Sequence, residues 1–326
     1  MGRQAGSAYH PPSPGCRVIH AVFFRNLLVY RLPADWSLSP VDLEEKLLAR
    51  QLQPVGHFDL SSRGWVVQPT SQRLAHAVGL QQMLTLGIEQ RLLPASIIRQ
   101  VAEERAKELE AEQGFPVGRR QLRDLRQQVG DELRAKALVR RTRTRAWLDP
   151  ERGWFGVDSA SAKRAEELVD TLRDTLGSFG VVPLDPARSP QATMAAWLLA
   201  GEAPAPFRID DELELRAVAQ SRAVVRYLRH PVAQDELRRH LADGLLPTRL
   251  GLTWRDRLSF VLTDKLELKR LQFVGLEDAA VDSSQEDAAE QFDAGFLLMA
   301  GELGALLADL AAALDAGAGT PEPVGA

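Results

Sequence analysis

The chain has 326 residues, 45% hydrophobic and 26% charged, with a net charge of -4 and a single cysteine, Cys16. That is enough length for about two domains or one large compound one, and one cysteine excludes an intramolecular disulfide framework and cysteine-based zinc or iron–sulfur sites. No run approaches the roughly 20 consecutive apolar residues of a membrane helix, so the expectation is a cytoplasmic protein with no membrane partner.

Taken in chain order, residues 1–20 lack an apolar export core and are broken by Pro11, Pro12 and Pro14, which predicts a disordered extension. Residues 22–32 (VFFRNLLVYRL) read as a buried strand. Residues 40–52 read as a helix with Ser39 as its N-cap. Short strands are expected at 64–67 and 82–88, pairing with the first strand as an antiparallel sheet. Pro94 opens a helix whose apolar face is Ile97, Ile98, Val101 and Leu109, with Glu103 four residues before Lys107, and Gly114 ends it. After a turn at 115–118, Leu122, Leu125, Val129 and Leu133 fall at spacings of 3, 4 and 4. The two helices predict a hairpin over about 93–136 that projects from the sheet.

Strands at 145–148 and 154–157 form a predicted β-hairpin, and Ser161 is expected to cap a helix ending at Gly177. This strand–turn–strand–helix order indicates an α+β fold rather than repeating βαβ units. A Pro/Ala-rich stretch at 185–206, with a short helix near Trp197, reads as a linker between an N-terminal region (21–184) and a C-terminal region (207–316). The latter is read as a strand at 223–229, a helix at 234–242, and strands at 248–254, 258–262 and 266–273. The last strand changes phase between Leu268 and Leu271, which predicts a bulge. A helix at 285–314 and a loose tail at 317–326 complete the chain.

The net charge conceals an asymmetry. Residues 117–145 carry ten basic side chains against Asp124, Asp131 and Glu132, whereas from 271 onward there are eleven acidic residues and no Lys or Arg. Arg119, Arg120, Arg123 and Arg126 fall on one side of a helix whose other side holds Leu122, Leu125 and Val129. Lys136, Arg140, Arg141 and Arg143 continue the run, the odd-numbered members sharing one strand face. A solvated face explains most charge runs, but such faces interleave both signs. The planar guanidinium fork suits phosphate, and no base-reading motif accompanies the run. These eight residues are therefore the candidate contacts for sequence-independent binding to a nucleic-acid backbone. Duplex is favoured over single strand, because no aromatic stacking platforms interleave the arginines.

Catalytic signatures are absent: there is no phosphate-loop, dinucleotide, zinc-protease or nucleophile-elbow motif. The six histidines are scattered, and no cofactor or metal is expected. The acids of 277–293 read as a solvated loop and helix start that favours the macrodipole, with a divalent-cation nuclease site as a remote alternative.

Six blocks resemble a known family: FFRNLLVYRL (23–32), GWV (64–66), LPASIIRQVAEERAKELEAEQ (93–113), WLD with VDSASAKRAEELVDTLRDTLGSFGVVPL (147–184), LKRLQF (268–273) and FDAGFLLMAGELGALL (292–307). In this order they are similar to the bacterial recombination-associated RdgC family, from about residue 22 to about 312. The resemblance implies a nucleoid-associated, non-catalytic protein. It implies a ring-shaped homodimer that encircles duplex DNA through a positively lined hole and antagonises the RecA recombinase. It carries the family's basic arm onto Arg119–Arg126 and its basic stretch onto Lys136–Arg145. Relatives often hold lysines and an aromatic where this chain has arginines and Leu138, and the first 20 residues lie outside the family pattern. The contrasting reading is a protein-interaction regulator that meets its partner through the acidic C-terminal region, with DNA incidental.

Overall fold

The computed structural model describes residues 22–217, 223–230, 233–274 and 285–315, with side chains of the last helix described from 288. The expectations for residues 1–20 and 317–326 lie outside these. Twelve strands and seven helices are present among the described residues, an α+β arrangement built on one large antiparallel sheet.

The first half comprises β1 (Asn26–Arg31), α1 (Pro40–Leu48), β2 (Ser61–Trp65), β3 (Ala75–Val78), β4 (Gln81–Arg91), α2 (Ala95–Gln113), α3 (Arg119–Lys136), β5 (Val139–Asp149), β6 (Trp154–Asp158), α4 (Ala162–Leu176) and β7 (Val182–Pro183). The second comprises α5 (Pro190–Ala200), β8 (Phe207–Ala217), β9 (Val224–Leu228), α6 (Gln234–Ala242), β10 (Leu245–Trp254), β11 (Leu258–Thr263), β12 (Leu268–Phe273) and α7 (Gln285–Asp315).

The strands run in the order β2-β4-β5-β6-β1-β12-β11-β10-β8-β9, with β3 beside β4 and β7 beside β1. β2 and β4 therefore do not pair with β1, as the sequence suggested; β5 and β6 lie between them. The halves join where Asn26 and Leu27 pair with Lys269 and Leu268.

Two cores cover the sheet. On one face of the first half, Leu43 and Leu47 of α1 and Leu168 and Leu172 of α4 bury Trp65 and Phe155. The other core runs through both halves: Phe296, Met299, Leu303, Leu307 and Leu310 of α7 pack with Trp147 and Trp154, and with Leu250, Leu252 and Phe260. Complete burial of such side chains contributes about 1.5–3 kcal/mol each, so α7 binds the two halves together. By length and composition α7 passes for a membrane span from Ala288 to Asp315, which counting consecutive apolar residues missed. Half of its most apolar stretch is buried in the protein. Met194, Trp197 and Leu198 of α5, in the segment read as a linker, pack into the same core.

Several boundaries moved for identifiable reasons. β1 starts at Asn26 rather than Val22 because side chains capture the backbone before it. Arg145 donates to the carbonyl oxygens of Val22 and Phe23, and Asp158 Oδ1 accepts from the N–H groups of Arg25 and Asn26. α1 ends at Leu48 because residues 50–52 cross to β2, where Leu52 N–H donates to Trp65 and Trp65 N–H to Arg50. Ser39 does cap α1, accepting from Asp42 N–H. Ser161 occupies the N-cap of α4 but makes no cap hydrogen bond; the Ser159 hydroxyl bonds to the Ser161 backbone instead. β3, β7 and β8 were not foreseen, and β5 begins six residues earlier than expected, at Val139. The bulge in β12 is present: the register to β11 shifts and Arg270 takes φ 54°.

Candidate nucleic-acid interface

Helices α2 and α3 are joined by residues 114–118, where Gly114 closes α2 in the left-handed region (φ 77°) that glycine enters without strain. Buried Ala102 and Ala106 on α2 and Val129 and Gly130 on α3 mark the seam between them. Arg105 grips Glu132 across it with two bonds of 3.0 and 2.6 Å, and Arg126 lies 3.8 Å from Glu103. The bonds from Arg105 hold the Glu132 carboxyl below its ordinary value.

All eight candidate residues are exposed. Arg119, Arg120, Arg123 and Arg126 occupy the first half of α3, and Lys136 ends it. At 1.5 Å per residue, Arg119 stands roughly 25 Å along the axis from Lys136. Arg140, Arg141 and Arg143 lie at the start of β5. The eight thus form two groups, one far along the helix and one at its base. Arg119, Arg120, Arg123, Arg140 and Arg143 have no ion-pair partner among the described residues. Arg141 donates to Glu89 Oε1 at 2.8 Å, while Glu89 Oε2 accepts from Val55 N–H at 3.1 Å.

The base group sits on an open edge. β4 pairs with β5 along residues 139–148, but β6 joins only from Arg145 onward. Residues 139–144 therefore have a strand on one side alone among the described residues. Such an edge offers backbone N–H groups beside the guanidiniums, and both kinds of donor bind phosphate.

Two basic residues of the run serve the fold. Arg134 lies 3.1 Å from Asp131 and donates to the Phe58 carbonyl, and Arg145 is half-buried against Asp158. Reading residues 117–145 alone also missed a compensation. Between 103 and 126 the two helices carry six acids (Glu103, Glu104, Glu108, Glu110, Glu112, Asp124) and six bases (Arg105, Lys107, Arg119, Arg120, Arg123, Arg126). The distal part of the pair, richer in acids on α2 and in arginines on α3, carries no net charge.

Of the five C-terminal acids whose side chains are described, four are engaged. Asp293 lies 3.0 Å from His76, Glu302 binds Arg257, Asp309 accepts from Trp254 and Arg255, and Asp315 accepts from Ala187 N–H. Among the described residues no three His, Cys, Asp or Glu side chains stand together to hold a metal ion; the side chains of Glu277, Asp278, Asp282, Glu286 and Asp287 lie outside them.

Residues 22–317 match a family model described as "Putative exonuclease, RdgC". Curated relatives named recombination-associated protein RdgC match over nearly their whole length. The protein of Dechloromonas aromatica is 45% identical over 296 residues, covering 90% of this chain and 97% of its own. That of Cupriavidus pinatubonensis is 42% identical over 293 residues, covering 90% and 98%. That of Bordetella pertussis is 39% identical over 289 residues, covering 89% and 97%. The chain belongs to the RdgC family of recombination-associated proteins.

Proposed function

We propose that this protein is a non-catalytic clamp that binds duplex DNA without regard to sequence, as an encircling homodimer on the nucleoid in the cytoplasm, and so restrains RecA-dependent recombination. The observation that carries the reading is the set of exposed arginines, Arg119, Arg120 and Arg123 at the distal end of α3 and Arg140 and Arg143 on the open edge of β5, that have no ion-pair partner among the described residues. Guanidiniums left free on a folded surface are available to phosphates, and nothing beside them reads bases. Four of the eleven C-terminal acids are held within the fold, which leaves fewer of them to recruit a partner protein.

The test is binding of a fluorescent, arbitrary-sequence duplex as salt is raised, with an unrelated duplex as competitor. Full competition and a log–log slope of several phosphates, at about -0.9 each, are expected. Binding is expected to outlast moderate salt on closed circles and to decay from short linear duplex. Equal lifetimes would mean side-on attachment. Shortening of the DNA in magnesium or manganese would replace the clamp with a nuclease.

A further inference from the structure

Among the described residues, the helices of the second half pack on one face of its sheet. Leu213, Leu215, Leu250, Leu252, Phe260 and Leu262 turn toward α5, α6 and α7. Strand alternation sends Glu214, Arg216 and Arg226 to the other face.

Glu214 is 3% exposed on that other face, with cations around it. Arg226 is directly across on β9, Arg249 directly across on β10, and Arg216 two residues along β8. Arg216 donates Nε to Glu214 Oε1 at 2.7 Å and Arg226 donates Nε to Oε2 at 2.6 Å. The Thr248 hydroxyl adds a bond of 2.9 Å. Burial pushes the Glu214 carboxyl up, but these donors outweigh it and hold it down at about 2.

One carboxylate thus fixes two guanidiniums. An arginine that commits Nε to a carboxylate keeps the four N–H donors of its terminal nitrogens. Those of Arg216 and Arg226 find no second partner among the described residues, and the side chains are 49% and 58% exposed. The register to β8 steps from Pro247–Leu215 to Arg249–Glu214, a bulge at Thr248. Bulges re-aim side chains, and this one puts both Thr248 and Arg249 on the wall of a cleft of about 310 Å³, beside Arg226, whose wall also carries Arg216, Lys265, Asp264 and a Glu267 already paired with Lys269. Arg249 is half-buried with no ion-pair partner among the described residues. Two arginines are clamped, one on each carboxylate oxygen, and a third stands beside them.

We propose that Glu214 is a positioning residue that holds Arg216 and Arg226 as a rigid fork, completed by Arg249, for backbone phosphates of nucleic acid. This site lies in the second half of the protein, apart from the arginines of α3. A fixed, planar fork recognises a phosphodiester through parallel hydrogen bonds, which a loose cation does not. The inference rests on the DNA-binding reading.

The experiment is salt-dependent binding of a short fluorescent duplex to the full-length protein and three variants. E214Q/R216Q/R226Q removes the fork without stranding a buried carboxylate. It is expected to lose about tenfold in affinity and roughly two phosphates from the salt slope, with a melting temperature near wild type. E214Q alone raises the positive charge by one yet is expected to bind several-fold more weakly, because its arginines lose their anchor; simple Coulombic attraction predicts tighter binding. R216K/R226K keeps the charge and the fold but is expected to weaken binding as well. Wild-type binding with an unchanged slope in the triple variant, tighter binding by E214Q, or full affinity in R216K/R226K overturns the fork and leaves the DNA reading standing. No duplex binding by wild type at low salt overturns the DNA reading, and the fork with it.

Discussion

Arg145 and Asp158 face each other across β5 and β6 at 2.7 Å, and together they secure the entry to β1. Arg145 reaches the carbonyl oxygens of Val22 and Phe23, and Asp158 takes the N–H groups of Arg25 and Asn26. The last arginine of the basic run is thus a structural bolt, two residues along the strand from Arg143, which is exposed and has no ion-pair partner among the described residues.

Arg145→Gln leaves a largely buried carboxylate and two carbonyls short of donors. The expected loss is about 2–4 kcal/mol, since breaking such a pair costs more than forming it gains. Arg143→Gln is expected to stay within about 0.5 kcal/mol of wild type while weakening duplex binding. Urea denaturation with a parallel binding titration separates the two. Equal stability losses at both positions would contradict this division of roles.

Gly64 makes the notch through which residues 50–52 leave α1. A Cβ there would lie 2.5 Å from Leu52 N and 2.7 Å from the Arg50 carbonyl oxygen, both backbone atoms that cannot swing aside. Gly64→Ala is expected to destabilise by about 1–3 kcal/mol, the usual cost of overpacking. An unchanged urea midpoint would show that residues 50–52 yield to the added methyl group.

Gly130 in α3 is the opposite case. Its added Cβ would meet Ile98 at an ordinary 3.7 Å, and alanine is a better helix former by about 1 kcal/mol. Gly130→Ala is expected to stabilise by about 0.5–1 kcal/mol without touching the arginine stripe. A lower melting temperature would mean that the helices pack more closely than this seam allows.

His76 connects β3 to α7, between Phe292 and Phe296 and 3.0 Å from Asp293. Burial lowers its pKa below the ordinary 6.5, and Asp293 only partly opposes this. The folded protein therefore resists a proton that the unfolded chain accepts. Stability from this group is complete above about pH 6.5 and falls as pH drops through the lowered folded value. His76→Gln is expected to flatten that limb of the stability–pH curve. Identical curves for variant and wild type would remove His76 as its source.

Elements with a regular apolar period and a stop signal were legible in the sequence: α2, with its terminal Gly114, and α4, with Gly177. β8 was hidden because Asp210, Asp211 and Glu212 interrupt the alternation of Ile209 with Leu213 and Leu215 where its register to β10 shifts. The N-terminal part of β5 was only partly legible: its odd-numbered arginines share a strand face, but its two faces carry Arg and Thr rather than alternating apolar residues, so its start was placed at 145.

The sequence by itself determined the α+β class, most helices and the eight basic positions, because each depends on local periodicity or on charge, and its six blocks carried the resemblance to the family. The tertiary structure alone decided that two half-sheets join through Leu27 and Leu268, and that α7 is shared by both. It also decided which arginines find ion-pair partners among the described residues. Arg145 and Arg143 are alike in sequence, and only the chain brought beside them from β6 and the start of β1 distinguishes a bolt from an available cation. Pairing between distant segments depends on which strands the fold makes neighbours, and no local pattern encodes that choice.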